Sequence, residues 1–230
     1  MSKPKIHEDV KPLTLSFSPI HNLVVVPTIG DGNCYFHSVL RAFNTSYINA
    51  EKTFDRINLT RSFRNALADR LSEIDPITGY DYYSGLNNGT LEQFSDGVKE
   101  YSKDALRKEL LSSQPVDNIY QELISNCINK DIYMIDGETN DMIFTGNTFT
   151  LYYKGRNSIV IYYTPGHYEV VGIHRSDGSI DTVFTPEHPL IEICKERLIN
   201  SIRQDKKKES SIPKGLSPRV TTMRGSSPRR

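Results

Sequence analysis

A cysteine stands where a turn gives way to a helix. The run Ile29-Gly30-Asp31-Gly32-Asn33-Cys34-Tyr35-Phe36-His37-Ser38-Val39-Leu40 places Gly, Asp and Asn in the four positions before Cys34. These residue types make turns. From Cys34 onward, apolar Phe36, Val39, Leu40 and Phe43 recur at near-helical spacing. The spacing predicts a helix from Cys34 to about Phe43, with Cys34 at its N-terminus. The first N–H groups of a helix have no partner within it, and the helix dipole adds partial positive charge. Both favour a thiolate, the nucleophilic form of cysteine. The bland alternative is a buried core cysteine behind a turn.

A nucleophile needs a base, and one stands far downstream in Gly166-His167-Tyr168-Glu169-Val170-Val171-Gly172. His167 follows the turn pair Pro165-Gly166 and opens an apolar, strand-like run. Such partners meet in space, not in sequence. Alternation along a strand points His167 and Glu169 to one face. A carboxylate there can orient the imidazole and stabilise its charged form.

Asp31-Gly32-Asn33-Cys34 followed by a helix, with His167-Tyr168-Glu169 late in the domain, resembles the OTU (ovarian tumour) family of cysteine proteases, which are deubiquitinating enzymes. The resemblance spans about residues 20 to 175. It implies Cys34 as nucleophile and His167 as general base. It implies Asp31 as a motif residue shaping the active-site loop, with Gly32 and Asn33 in the loop that offers oxyanion donors. Glu169 falls on the third position of the triad, which is more often Asp or Asn in the family. The implied substrate is ubiquitin or a ubiquitin-like modifier, cut after its C-terminal glycine. Asp81, Tyr82, Tyr83, Tyr152, Tyr153, Tyr162 and Tyr163 are candidate neighbours for the modifier's basic tail. Ordinary packing is the alternative for these tyrosines. Two further readings accompany the resemblance: an inactive ubiquitin-binding module, and a protease acting on a viral or transposon polyprotein.

Only three cysteines, Cys34, Cys127 and Cys194, occur in 230 residues. That argues against a disulfide framework and for a reducing compartment. The expected location is the cytoplasm, that of a host if the source is viral, with the nucleus as a second option. Cys127 and Cys194 are read as packing residues. No Cys/His spacing suggests zinc and no glycine loop suggests a phosphate site, so neither metal nor cofactor is expected. The N-terminus lacks a signal-peptide core, and no apolar stretch is long enough to span a bilayer. A monomer without membrane partners is expected.

Charge is unevenly spread. Residues 203–230 hold nine Lys or Arg and two acids, leaving 19 of 28 basic and 26 of 28 acidic residues to 1–202. This Pro- and Ser-rich segment reads as a disordered basic tail that would meet an acidic partner. A plain solvated tail or linker is the bland reading; nucleic-acid binding, a localisation signal and a partner tether are the functional ones. The expected organisation is a polar lead over 1–20, a catalytic domain over 21–175, a strand and helix extension over 176–202, and the tail.

Helices are expected along Leu59–Ile74 and Leu91–Leu110, and after Asp117. Strands are expected at Leu23–Val26 and Ile132–Ile135. A hairpin is expected from Thr148–Tyr153 and Ser158–Tyr163, followed by a strand over His167–Ile173. Thr185-Pro186-Glu187 reads as a helix start. The fold class is therefore α+β: a small β-sheet flanked by helices, the nucleophile at a helix N-terminus, as in the OTU-like fold.

Overall fold

The computed structural model describes residues 10–76, 79–86, 101–114, 116, 120–143 and 154–211, the last eleven by backbone alone. The fold is α+β. Strands β1 (Lys11–Pro12), β2 (Leu23–Val26), β3 (Asp131–Asp136), β4 (Asp141–Met142), β5 (Ser158–Thr164), β6 (His167–His174) and β7 (Ile180–Asp181) form one sheet. Its order is β1-β2-β6-β5-β3-β4, with β7 also on β6. The β3–β5 pair is parallel and the other pairs are antiparallel. The helices are α1 (Cys34–Phe43), α2 (Thr45–Asn49), α3 (Thr53–Arg70), α4 (Tyr82–Gly85), α5 (Lys103–Leu111), α6 (Tyr120–Ile128) and α7 (Pro189–Ser211).

The central strands are buried on both faces, so they read as apolar runs rather than as alternating ones. Their side chains still alternate. Val24, Val26, Ile132, Met134, Ile159, Ile161 and Val170 join one core with residues of α1, α3, α5 and α6. Leu23, Val25, Tyr133, Ile135, Val160 and Val171 join a second core with Leu13, Leu15, Phe184 and α7. Each fully buried aliphatic side chain contributes roughly 1.5–3 kcal/mol. The two cores clamp the strand that carries His167.

Helix α1 is enclosed: every residue from Cys34 to Ala42 is buried. It lies between β6 and α3. The Thr182 hydroxyl donates to Ala42 O near its C-terminal end (2.6 Å).

Several sequence expectations need correction. Residues 13–20 are no free lead, because alternate residues Leu13 and Leu15 are buried and Phe17 packs beside them. The 176–202 segment, expected as a strand and helix extension with Cys194 as a packing residue, holds β7 and the start of α7 and supplies Phe184, Leu190, Ile191, Cys194 and Leu198 to the second core. Helix α3 stops at Arg70, four residues short of Ile74, which is 62% exposed. The last helix starts at Pro189 rather than at Thr185, with proline at its first position. Leu190 N donates to His188 Nδ1 at that end (3.2 Å). It runs to Ser211, inside the segment read as tail, because Lys, Glu, Gln and Arg are good helix formers and no Pro or Gly intervenes before Pro213. Along Ile161–Tyr163, strand β5 has β3 on one edge and β6 on the other. Its hairpin partner is β6. Thr148–Tyr153, Leu91–Val98, Asp117, residues 1–9 and residues 212–230 lie outside the described residues.

Candidate active site

Two tight turns make this site, and each needs a left-handed glycine. Gly32 has φ +81° between Asp31 and Asn33, and Gly166 has φ +80° between β5 and β6. A side chain would be strained at either position. In the second turn, Thr164 pairs with His167 across Pro165-Gly166. Proline followed by a positive-φ glycine fits a type II turn. That turn lies against the nucleophile helix: Cys34 Sγ is 4.0 Å from Gly166 O.

His167 and Glu169 share a face of β6, as alternation predicts. His167 Nε2 lies 4.0 Å from Glu169 Oε1, within ion-pair reach but too long for a direct hydrogen bond. Glu169 is buried and the imidazole partly open. The other edge of the ring faces the loop before Cys34. A Cβ built on Gly30 would lie 3.8 Å from His167 Nδ1 and Cε1. Thr28 Oγ1 donates to Tyr168 O at 2.5 Å, tying that loop to β6. Tyr168 packs between Tyr35 and Tyr163, with ring centroids 5.1 and 4.9 Å away.

Cys34 is 7% exposed. Burial pushes its thiol above the ordinary value; the N–H groups of Tyr168, Tyr35 and Cys34 itself pull the other way, and Asp31 adds to the rise. The helix N-terminus does supply donors, as the sequence suggests, but desolvation outweighs them in the resting site. A base that removes the proton is therefore needed, and His167 adjoins Gly166.

Asp31 holds the first turn. Its Oδ1 accepts from the Asn33 N–H at 2.9 Å and lies 3.1 Å from His37 Nε2. Partial burial works to raise the Asp31 carboxyl. Asn33 N–H and His37 outweigh it and hold the group below the usual carboxylate range. Asp31 is thus committed to the turn and to His37.

The sequence reading missed two residues. His37 is fully buried one turn beyond Cys34, with Nδ1 2.7 Å from Tyr47 Oη and 3.0 Å from Thr60 Oγ1. Nδ1 has one lone pair, and a hydroxyl donating to it leaves the ring proton on Nε2, on the side of Asp31. Burial lowers the His37 pKa, against the pull of Asp31. Arg64, on α3, is 2% exposed and donates to Asn33 Oδ1 at 2.6 Å. Arg64 belongs to the buried row Thr60, Arg64, Leu67, Ala68 and Leu71, whose first two members are polar and so resemble a solvent face in sequence.

Of the proposed tail contacts, Asp81 is taken by Lys103 (2.7 Å) and by the N-terminus of α4. The Tyr83 hydroxyl donates to Tyr101 O (3.0 Å). Tyr163 packs against Tyr168, beside His167. Tyr152 and Tyr153 lie outside the described residues. Among the described residues, no three His, Cys, Asp or Glu gather as a metal site, and no helix is long and apolar enough to cross a membrane.

No protein-family model matches the sequence, and no curated protein matches it. Solved structures do. An ovarian tumour (OTU) domain in complex with ubiquitin is 16% identical, with 83% of this chain and 90% of that chain covered and a TM-score of 0.49. The Hazara virus OTU bound to ubiquitin is 14% identical, with coverage of 74% and 94% and a TM-score of 0.43. An OTU deubiquitinase from Wolbachia pipientis wMel is 14% identical, with coverage of 65% and 88% and a TM-score of 0.39.

Proposed function

We propose that this chain is a cysteine protease of the OTU type, a deubiquitinase that cleaves after the C-terminal glycine of ubiquitin or a ubiquitin-like modifier. One observation carries the reading. Cys34 Sγ, at the N-terminus of α1, meets the turn that presents His167, and His167 Nε2 faces the buried Glu169. A thiol, an imidazole and a carboxylate from two distant segments are thereby gathered at one end of the sheet.

In this reading His167 takes the thiol proton and Cys34 attacks the scissile carbonyl. The N–H groups of Cys34 and of the Asp31–Asn33 turn stabilise the oxyanion. The protonated His167 gives its proton to the departing lysine amine, and water, activated by the same imidazole, resolves the thioester. Glu169 orients the ring and favours its charged form. Its ion-pair distance to Nε2 supports an electrostatic role over a tight hydrogen bond.

A ubiquitin derivative bearing a C-terminal electrophile tests reactivity and recognition together. The wild-type protein should form a covalent adduct through Cys34, and Cys34→Ala should form none. An adduct through Cys127 or Cys194 would overturn the assignment. Tight binding without adduct or turnover would mark the chain as an inactive ubiquitin-binding module.

A further inference from the structure

The N-terminus of α1 departs from the described helix starts that are preceded by a residue able to cap; Lys52, before α3, has no acceptor and caps nothing. Asn44 before α2, Asp81 before α4 and Ser102 before α5 have extended backbones, and their side chains accept a hydrogen bond from the helix they precede. Asn33 occupies the same position before α1, and asparagine is among the strongest capping residues. Yet Asn33 has φ −105° and ψ 14° and caps nothing with its side chain. Its Oδ1 instead accepts from Arg64 Nη1 at 2.6 Å.

Arg64 is anchored elsewhere. Nε donates to Leu110 O (2.9 Å), Nη1 also to Gln114 O (3.0 Å), and Nη2 to Glu109 O (2.9 Å). These carbonyls are at or just beyond the C-terminal end of α5, where helix carbonyls lose their intrahelical partners. The guanidinium also lies 4.6 Å from the centroid of the Phe36 ring. A buried cation needs such saturation. The fork is thus fixed by α5 and reaches the capping oxygen of α1 from a rigid base.

We propose that Arg64 is a positioning residue of the nucleophile: it holds the Asn33 side chain away from the N-terminus of α1, so that the first N–H groups of that helix stay directed at Cys34 Sγ. Cys34 and Tyr35 are the first two residues of α1, and their N–H groups, which have no partner within the helix, are the donors at stake. A capping Asn33 would claim the N–H of Tyr35 or Phe36 for itself. The role rests on the reading of Cys34 as nucleophile.

Arg64→Lys supplies the test, because one ammonium cannot serve Asn33 and three carbonyls together. The readout is the rate of Cys34 alkylation by iodoacetamide in the native protein at neutral pH, followed by peptide mass spectrometry. Cleavage of a ubiquitin-tail substrate and thermal stability are measured in parallel. Arg64→Lys should slow Cys34 alkylation about 5- to 10-fold, the scale of one capping interaction. Adding Asn33→Gly to it should restore the rate to within about twofold of Asn33→Gly alone, since no oxygen is left to cap. A merely structural role for Arg64 would not be rescued by trimming Asn33. Unchanged alkylation in Arg64→Lys, or no rescue in the double variant, would overturn the proposal. Alkylation requires no ubiquitin recognition. Wild-type protein that fails to cleave the ubiquitin substrate would sink the functional reading while the alkylation rates still decide the role of Arg64.

Discussion

Cys34 and Cys194 are both buried, on helices that pack against opposite faces of one sheet, yet their surroundings differ completely. Cys194 sits within α7 among apolar side chains, and burial alone pushes its thiol up to about 12. Cys34 sits at a helix end, where the N–H groups of Tyr168, Tyr35 and Cys34 work against burial. Around it stand a turn pinned by Asp31, the histidine that opens β6 and a carboxylate two residues on. Burial therefore does not separate the structural cysteine from the chemical one. The polar groups that accompany burial do.

The sharpest way to break this comparison is to remove each sulfur in turn. Cys34→Ala should abolish cleavage of a ubiquitin-tail substrate with melting behaviour near wild type. Cys194→Ala should keep full turnover and lose about 1 kcal/mol of stability, the scale of one buried methylene. Substantial residual cleavage by Cys34→Ala would end the distinction.

A smaller effect is expected at the base. His167→Ala should lower kcat roughly 100- to 10,000-fold, the usual contribution of a general acid–base group. Glu169→Gln should lose less, because an amide still holds the ring but cannot stabilise its charge. Steady-state kinetics of the two variants side by side give the order. If Glu169→Gln turns over like wild type, the carboxylate is not the orienting group.

The apolar side of the comparison has its own pH signature. A thiol whose folded pKa is raised stabilises the native state fully below its unfolded pKa, near 9, and loses that contribution as pH rises toward 12. Above pH 9 the unfolded chain sheds the Cys194 proton and the folded chain does not. Unfolding free energy of the wild type should therefore fall faster with pH than that of Cys194→Ala, by about 1.4 kcal/mol per unit. Equal slopes in denaturant titrations would show that Cys194 is not sealed from water.

The smallest expected change lies at Asp81, where the Lys103 ammonium and the Ser84 hydroxyl and N–H hold the carboxyl down to about 2. Its depressed pKa stabilises above the unfolded value and is lost as pH falls through the folded one. Asp81→Asn should cost less than about 1 kcal/mol at neutral pH, since the pair is near the surface. Wild type and variant should converge as pH drops from 4 toward 2. A constant gap across that range in acid melting curves would remove the ion pair as its source.

The catalytic candidates were legible because each is announced locally. Gly32 and Gly166 mark turns, and period-two alternation sets His167 and Glu169 on one face. The braces were not legible. Arg64 and Thr60 stand on the buried row of α3, but a polar residue at a helical interval looks like solvent face until the end of α5 is known to lie opposite. Leu13, Leu15 and Phe17 did carry a strand-like period of two. Polar neighbours and Pro12 masked it, and only the second face of the sheet shows what they cover. The partners of β5 were hidden for a similar reason: β6 follows it directly, but β3 pairs with it in parallel from more than twenty residues upstream, a pairing no local turn announces.

The ladder between β2 and β6 sets the order of events when the chain folds. Val26 pairs with Val170 and Leu23 with Ile173, so strands about 150 residues apart must find each other. Contacts so distant in sequence form slowly, because closing the intervening loop costs entropy before any contact repays it. Cys34 follows the first of these strands and His167 opens the second. A refolding chain therefore acquires its reactive pair only when this long-range closure is made. Recovery of thiol reactivity should coincide with completion of the sheet, and a nascent chain that has not yet emitted residue 167 carries an idle cysteine.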